Sequence, residues 1–234
     1  MPRPTIIAHR GASGYEYENS RAAFRRAVML DADGVELDIH ATRDGAIVVH
    51  HDPDIPGIGP IALLSVAEAS QVRLPNGEKL PLLQEVLALV GEHDVWVEVK
   101  NLPPAFDAAL FEALERGPAP ARYAVHSFDH RIIRRLGEAC PGLARGILLT
   151  ARLDDPVAAL RAAGARTLWQ EWQLVDQELV RRVHEADARI FAWTVNEIGD
   201  LERLMRLGVD GLCSNYPDRI RVALAARDAS PARA

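Results

Sequence analysis

The sequence predicts an α/β fold, a (β/α)8 barrel with an extra β-hairpin strand after its second strand. Eight short, β-rich apolar runs recur along the 234 residues, separated by longer segments with apolar residues at i, i+3, i+4 and i+7. That alternation is the mark of a parallel sheet covered by helices. Polar residues gather at the ends of several runs, where such a barrel builds its site. The length and a 48% hydrophobic content suit one barrel that fills the chain.

The strand runs fall near 5–9, 34–40, 95–100, 123–128, 145–150, 167–172, 189–195 and 210–214. Helical patterns lie near 19–32, 83–92, 105–116, 130–139, 155–164, 176–187, 198–207 and 217–227. Asn19 or Ser20 can cap the first helix, whose apolar face includes Ala23, Phe24, Ala27 and Leu30. Residues 46–51 form the extra strand, after an Arg43-Asp44-Gly45 turn in which Asp-Gly is a strong hairpin signal. The hairpin carries His50 and His51 back toward the mouth. Pro53, Pro56, Gly57, Gly59, Pro60, Pro75, Gly77 and Pro81 mark 53–82 as a loop with one short helix near 64–72. Gly208 closes the helix containing Leu201, Leu204 and Met205. One barrel domain is expected over residues 1–228, and 229–234 as a disordered tail, since the apolar period is lost there.

A net charge of −6 and a pI near 5.8 argue against a nucleic-acid surface, while leaving room for a local basic pocket around a phosphate. Cys140 and Cys213 give neither a disulfide framework nor a zinc spacing, and are expected as buried small hydrophobes. No apolar run approaches the ~18 residues of a membrane span and no leader is evident, so the expected location is cytoplasmic.

The chemistry concentrates between Ile6 and Asp52. In Gly34 to His40, Val35, Leu37 and Ile39 alternate with Glu36, Asp38 and His40, so two carboxylates share one strand face. The third strand repeats the phasing, Val95, Val97 and Val99 against Trp96, Glu98 and Lys100. Interior charges are expensive without partners, so Glu36, Asp38 and Glu98 read as ligands of one hard divalent ion, Mg²⁺ or Ca²⁺, with all-oxygen ligation. Histidines ending the first run and the hairpin suggest general acid and base catalysis. Arg10 and Lys100 supply positive charge for a phosphoryl oxygen. Metal, imidazoles and cations together describe phosphodiester cleavage.

At these residues the chain resembles the glycerophosphodiester phosphodiesterase family. The family pattern matches His9-Arg10-Gly11, Glu18-Asn19-Ser20, Glu36-Leu37-Asp38 and His51-Asp52, and then VEVK at 97–100, SF at 127–128, AWTVN at 192–196 and DGLCSNYP at 210–217. The resemblance implies a TIM barrel, His9 and His51 as the acid/base pair, Glu36, Asp38 and Glu98 as metal ligands, and Arg10 and Lys100 as phosphate contacts. It implies hydrolysis of a glycerophosphodiester, a deacylated phospholipid head group, to glycerol 3-phosphate and an alcohol through a cyclic phosphate. Tyr17 replaces the usual Pro, Ser20 the Thr, and Pro53-Asp54-Ile55-Pro56-Gly57 a common Leu-Asp-Arg-Thr stretch. Asn215 stands where the family often has Asp, and no catalytic role is assigned to it.

Trp193, ending the seventh strand, is the aromatic candidate to wall the glycerol moiety. His40 is expected as a hydrogen-bonded barrel residue, His50 as pointing away, and His93, His130 and His184 as surface. His126 reads equally as a satisfied wall residue or a substrate contact, and Glu171 as reaching the pocket or pairing with an arginine. Two rival readings are a barrel phosphodiesterase acting on lyso-phospholipids through an apolar entrance at Ile55, Ile58, Ile61, Leu63 and Leu64, and a non-catalytic barrel that binds phosphorylated metabolites.

Overall fold

A computed structural model describes residues 3–229. The expected tail at 229–234 lies, apart from Ala229, outside the described residues. Eleven strands are formed among the described residues: β1 (Thr5–His9), β2 (Gly34–Ala41), β3 (Ile47–Val49), β4 (Asp54–Ile55), β5 (Gly59–Pro60), β6 (Asp94–Asn101), β7 (Tyr123–Ser127), β8 (Ala144–Leu149), β9 (Thr167–Glu171), β10 (Arg189–Trp193) and β11 (Gly211–Ser214). The helices are α1 (Arg21–Met29), α2 (Val66–Ala69), α3 (Leu83–Val90), α4 (Asp107–Glu115), α5 (His130–Ala139), α6 (Pro156–Ala163), α7 (Gln177–Glu185), α8 (Ile198–Leu207) and α9 (Pro217–Ala229). None is long and apolar enough to cross a membrane.

Strands β1, β2 and β6 to β11 pair in parallel in that order, and β1 closes the ring on β11. The expected eight-stranded barrel is therefore present. The short β3 lies outside it, antiparallel to β2, with Ile39, His40 and Ala41 opposite Val49, Val48 and Ile47. It takes over the β2 edge where β1 stops, because β1 pairs only with Gly34 to Glu36. The predicted turn is formed, with Gly45 at a φ of 86° that favours glycine.

Strand alternation sorts the side chains as the sequence period requires. Val35, Leu37, Ile39, Val95, Val97 and Val99 enter the core between barrel and helices. Ile7, Trp96, Ala124, Leu148, Trp169, Phe191 and Cys213 fill the interior. Large and small residues interlock there: a Cβ on Gly211 would lie 2.6 Å from the Phe191 ring, so the ring occupies the space of the missing side chain. Ser20, not Asn19, caps α1 by accepting from the Ala23 N–H. The helix then buries Ala23, Phe24 and Ala27, and Phe24 alone removes enough apolar surface to contribute ~1.5–3 kcal/mol.

The proline- and glycine-rich 53–82 segment packs Ile55, Ile61, Ala69, Val72, Leu74 and Leu80 against Val48 of β3 in a small separate core. Cys213 is buried inside the barrel as expected, whereas Cys140 is only half-buried, because it caps the C-terminus of α5 instead of lying within a strand or an apolar helix face.

Candidate active site

Inward-facing residues at the C-terminal ends of β1, β2, β6 and β7 lie side by side in the register. His9 is opposite Glu36, Asp38 opposite Glu98, and Glu98 opposite His126. Paired positions on parallel strands share a face, so closing the barrel gathers these groups. Glu36, Asp38 and Glu98, all buried, offer oxygens that lie within 4.8 Å of one another. This is the carboxylate group expected from the sequence, and it could hold one metal ion.

Lys100 reaches the group through a register slip. Ile39 pairs with Val99 but His40 with Asn101, so Lys100 sits at a bulge, a feature that re-aims side chains. Its Nζ lies 2.8 Å from Glu98 Oε1 and 3.2 Å from Asp38 Oδ1. Arg10 arrives from the end of β1 with a φ of 55°, a left-handed conformation that costs a non-glycine residue on the order of 1–3 kcal/mol. Gly11 follows at 77°, and a Cβ there would meet the Ala23 backbone at 2.6 Å. This turn aims the Arg10 N–H at Glu36 Oε2, 3.2 Å away, and sets the guanidinium 3.2 Å from Asp38 Oδ2 and 2.9 Å from Glu18 Oε2.

Freed from capping, Asn19 also turns left-handed, at a φ of 55°; asparagine tolerates that region. Its amide donates to Asp38 Oδ2 at 2.8 Å. Sequence pattern alone offers Asn19 only as a possible cap. Its place within the Glu18-Asn19-Ser20 segment, between two functional motifs, was the available signal.

These partners separate the three carboxyls. Burial works against the Asp38 charge, but Lys100, Arg10 and Asn19 outweigh it and hold the group down to about 2. Burial and the Asp38 charge push Glu36 up to about 7 and Glu98 up to about 8. Three carboxylates against two cations leave one negative charge, Glu18 at the rim aside, and the cluster sheds it by protonation.

Both candidate acid/base histidines are held at Nδ1. His9 Nδ1 lies 2.8 Å from Asn215 Oδ1, and the other ring nitrogen lies 4.0 Å from Glu36 Oε2. Burial is the largest influence on His9 and keeps its pKa below the usual imidazole value. Asn215, to which the sequence assigns no catalytic role, thus orients His9. The β1–β11 closure joins two residues 206 positions apart. The His50 N–H donates to the Asp38 carbonyl at 3.0 Å, and His40 Nε2 lies 3.0 Å from the His51 carbonyl. Together they fix the backbone that carries His51, whose Nδ1 lies 2.7 Å from Asp52 Oδ1. His40 is therefore the hydrogen-bonded residue expected. The His50 side chain, its Nδ1 2.9 Å from the Asp52 carbonyl, makes no hydrogen bond to the three carboxyl groups.

The remaining candidates line the mouth or lie away from it. Trp193 pairs in register with Glu171 and meets Phe128 edge-on at 5.5 Å. Its register puts it on the opposite wall of the barrel from β2 and β6. His126 is buried and has no hydrogen-bond partner at either ring nitrogen, which weighs against the satisfied-wall alternative of the two readings open from the sequence. His93 and His130 bond to the backbone carbonyls of Val90 and Leu148, and His184 lies 2.9 Å from Asp210 Oδ2, all clear of the cluster.

The acid-rich site gives the free protein a definite pH response. A carboxyl whose pKa is raised by folding stabilises the protein while protonated. The contributions of Glu36 and Glu98 are thus full below their ordinary 4.5 and are lost as pH climbs through about 7 and about 8. His9 and His126, lowered by burial, act oppositely, but only below their ordinary 6.5. The melting temperature in chelator should fall between pH 6.5 and 8.5, and a saturating divalent ion should offset the fall. A flat profile in chelator would contradict this account of the cluster.

Comparison with known proteins agrees with the motifs. The model of the Glycerophosphoryl diester phosphodiesterase family matches residues 9–219. A Glycerophosphodiester phosphodiesterase of Caldanaerobacter subterraneus subsp. tengcongensis is 32% identical over 231 residues, covering 92% of this chain and 95% of the relative. Among solved structures, an Oleispira antarctica phosphodiesterase in complex with the product sn-glycerol-3-phosphate superposes with a TM-score of 0.87 at 24% identity, over 95% of this chain and 97% of the other. A glycerophosphodiester phosphodiesterase from Parabacteroides distasonis gives 0.86 at 24% identity, over 97% and 98%.

Proposed function

Because this chain belongs to the glycerophosphoryl diester phosphodiesterase family, we propose that it hydrolyses glycerophosphodiesters to glycerol 3-phosphate and an alcohol with the aid of one divalent ion. The observation that carries the reading is the buried Glu36, Asp38 and Glu98 group together with two imidazoles each held at Nδ1. The Oleispira protein's product is the phosphomonoester this reaction releases.

The residues fit an Mg²⁺ or Ca²⁺ ion held by Glu36, Asp38 and Glu98. The donors are all carboxylate oxygens, as hard cations require, and the group is short of positive charge by itself. A divalent ion converts that deficit into a single positive charge, the complement of the one negative charge on a phosphodiester. When bound, the ion polarises a phosphate oxygen and acidifies a glycerol hydroxyl.

The chain's own residues supply the rest. Arg10 and Lys100 hold the carboxylates and face the phosphoryl group with their remaining donors. One histidine of the pair, His9 or His51, takes the proton of the glycerol hydroxyl next to the ester as that oxygen bonds to phosphorus. The other gives a proton to the departing alcohol oxygen as the P–O bond breaks. Water then opens the cyclic phosphate with the two imidazoles exchanging roles. Trp193 walls the mouth and shields the glycerol moiety from bulk water.

The lyso-phospholipid alternative loses support, because Ile55 and Ile61 are committed to the satellite core and Leu64 packs against it. Ile58 and Leu63 alone of the five are exposed. A purely binding barrel would have no need of two imidazoles each held at Nδ1 by a side-chain oxygen.

Glycerol 3-phosphate should be released from glycerophosphocholine and glycerophosphoethanolamine in Mg²⁺ or Ca²⁺ and suppressed by chelator. No release, or equal release in chelator, would remove the reading. Turnover should be bell-shaped in pH, and His9→Ala or His51→Ala should each lower kcat by on the order of 10²–10⁴-fold with little change in substrate affinity. An alanine variant that loses affinity and keeps turnover would assign that histidine to binding instead.

A further inference from the structure

His126 is 1% exposed, and neither of its ring nitrogens has a hydrogen-bond partner. Leaving a buried polar group unsatisfied costs ~1–3 kcal/mol, so a phenylalanine would serve better if the position asked only for bulk. The surroundings define what the imidazole can reach. Its register neighbour on β6 is Glu98, so the side chain points into the barrel beside the carboxylates. Trp169, with ring centroids 4.5 Å apart, and Trp96, at 5.6 Å, fix the plane of the ring from two sides. The nitrogen presented to the site, Nε2, lies 3.6 Å from Glu36 Oε1.

We propose that His126 is a positioning residue of the metal centre, whose ring N–H closes the remaining gap to Glu36 Oε1 when the ion is bound, while the Arg10 backbone N–H holds Oε2. The inference rests on the divalent-ion reading above. Gripped at both oxygens, Glu36 is kept in one orientation toward the other two ligands. Such outer contacts set ligand orientation in metal sites, and their loss lowers metal affinity by 10–100-fold. His126 is not itself a ligand: the atoms within mutual reach of one ion belong to Glu36, Asp38 and Glu98.

The test is calorimetric titration of Mg²⁺ and of Ca²⁺ into the chelator-treated full chain at pH 8, without substrate, so that the readout is independent of turnover. His126→Phe keeps the ring volume among the indoles and removes the donor, and His126→Leu repeats the loss with a smaller side chain. Both should weaken ion binding ~10–100-fold while retaining cooperative melting. His126→Gln, which restores an N–H donor, should recover binding to within about threefold of the wild-type chain. Unchanged affinity in the Phe and Leu variants would overturn the proposal and leave the divalent-ion reading standing. So would a Gln variant as weak as Phe, since the loss would then be one of packing. A wild-type chain that binds neither ion would remove the divalent-ion reading itself, and this inference with it.

Discussion

Glu36→Ala and Glu98→Ala should each reduce glycerophosphodiester turnover to background while leaving a barrel at least as stable in chelator as the unaltered chain. Each removes a carboxyl that burial and the Asp38 charge push up to about 7 or about 8. Above that range, ionisation of these groups works against folding. Asp38→Ala should abolish turnover as well but behave oppositely in stability. Lys100, Arg10 and Asn19 all converge on this carboxylate, which is fully buried. Its removal leaves Lys100 with Glu98 and Arg10 with Glu18 alone and the Asn19 amide without its acceptor, a loss on the order of 1–3 kcal/mol. Urea unfolding in chelator at pH 8, beside an assay for glycerol 3-phosphate, separates the two behaviours. Near-full turnover by Glu36→Ala or Glu98→Ala would end the metal reading, and a stable Asp38→Ala variant would end the assignment of Asp38 as the anchor of both cations.

The carboxylate site was legible in the sequence because strand period is unforgiving. A side chain two residues along shares its neighbour's face, so Glu36 with Asp38 and Glu98 with Lys100 had to project together once Val35, Leu37, Val97 and Val99 were assigned to the helix-facing core. The barrel followed from the same alternation, and closure through β1 and β11 placed the strand ends in one mouth. The hairpin was readable from Asp44-Gly45, and with it the return of His51.

What escaped depended on long-range approach or on backbone conformation. Asn215 meets His9 only because the first and last strands become neighbours, and no local pattern encodes that contact. Asn19 looked like a helix cap, and its actual bond to Asp38 requires a left-handed backbone beside the equally left-handed Arg10. Lys100 was assigned to the inner face by alternation, but its grip on two carboxylates comes from a slip in register between β2 and β6. The small core beneath 53–82 was hidden because its apolar residues follow neither a helical nor a strand period.

The other large effect lies in the substrate. If the glycerol hydroxyl next to the ester attacks phosphorus, nucleophile and electrophile are delivered in one bound molecule, an advantage that can reach ~7–11 kcal/mol. An analogue lacking that hydroxyl forfeits it entirely, whereas exchanging the alcohol that leaves should matter far less. The decisive measurement compares glycerophosphocholine with its analogue lacking the adjacent hydroxyl, at equal concentrations in saturating Mg²⁺ or Ca²⁺, following release of choline from both. Ready cleavage of the first and a rate at least ~10³-fold lower for the second are expected. Comparable rates would contradict internal attack and assign the nucleophile to water, and a chain that cleaves neither would contradict the phosphodiesterase reading as a whole.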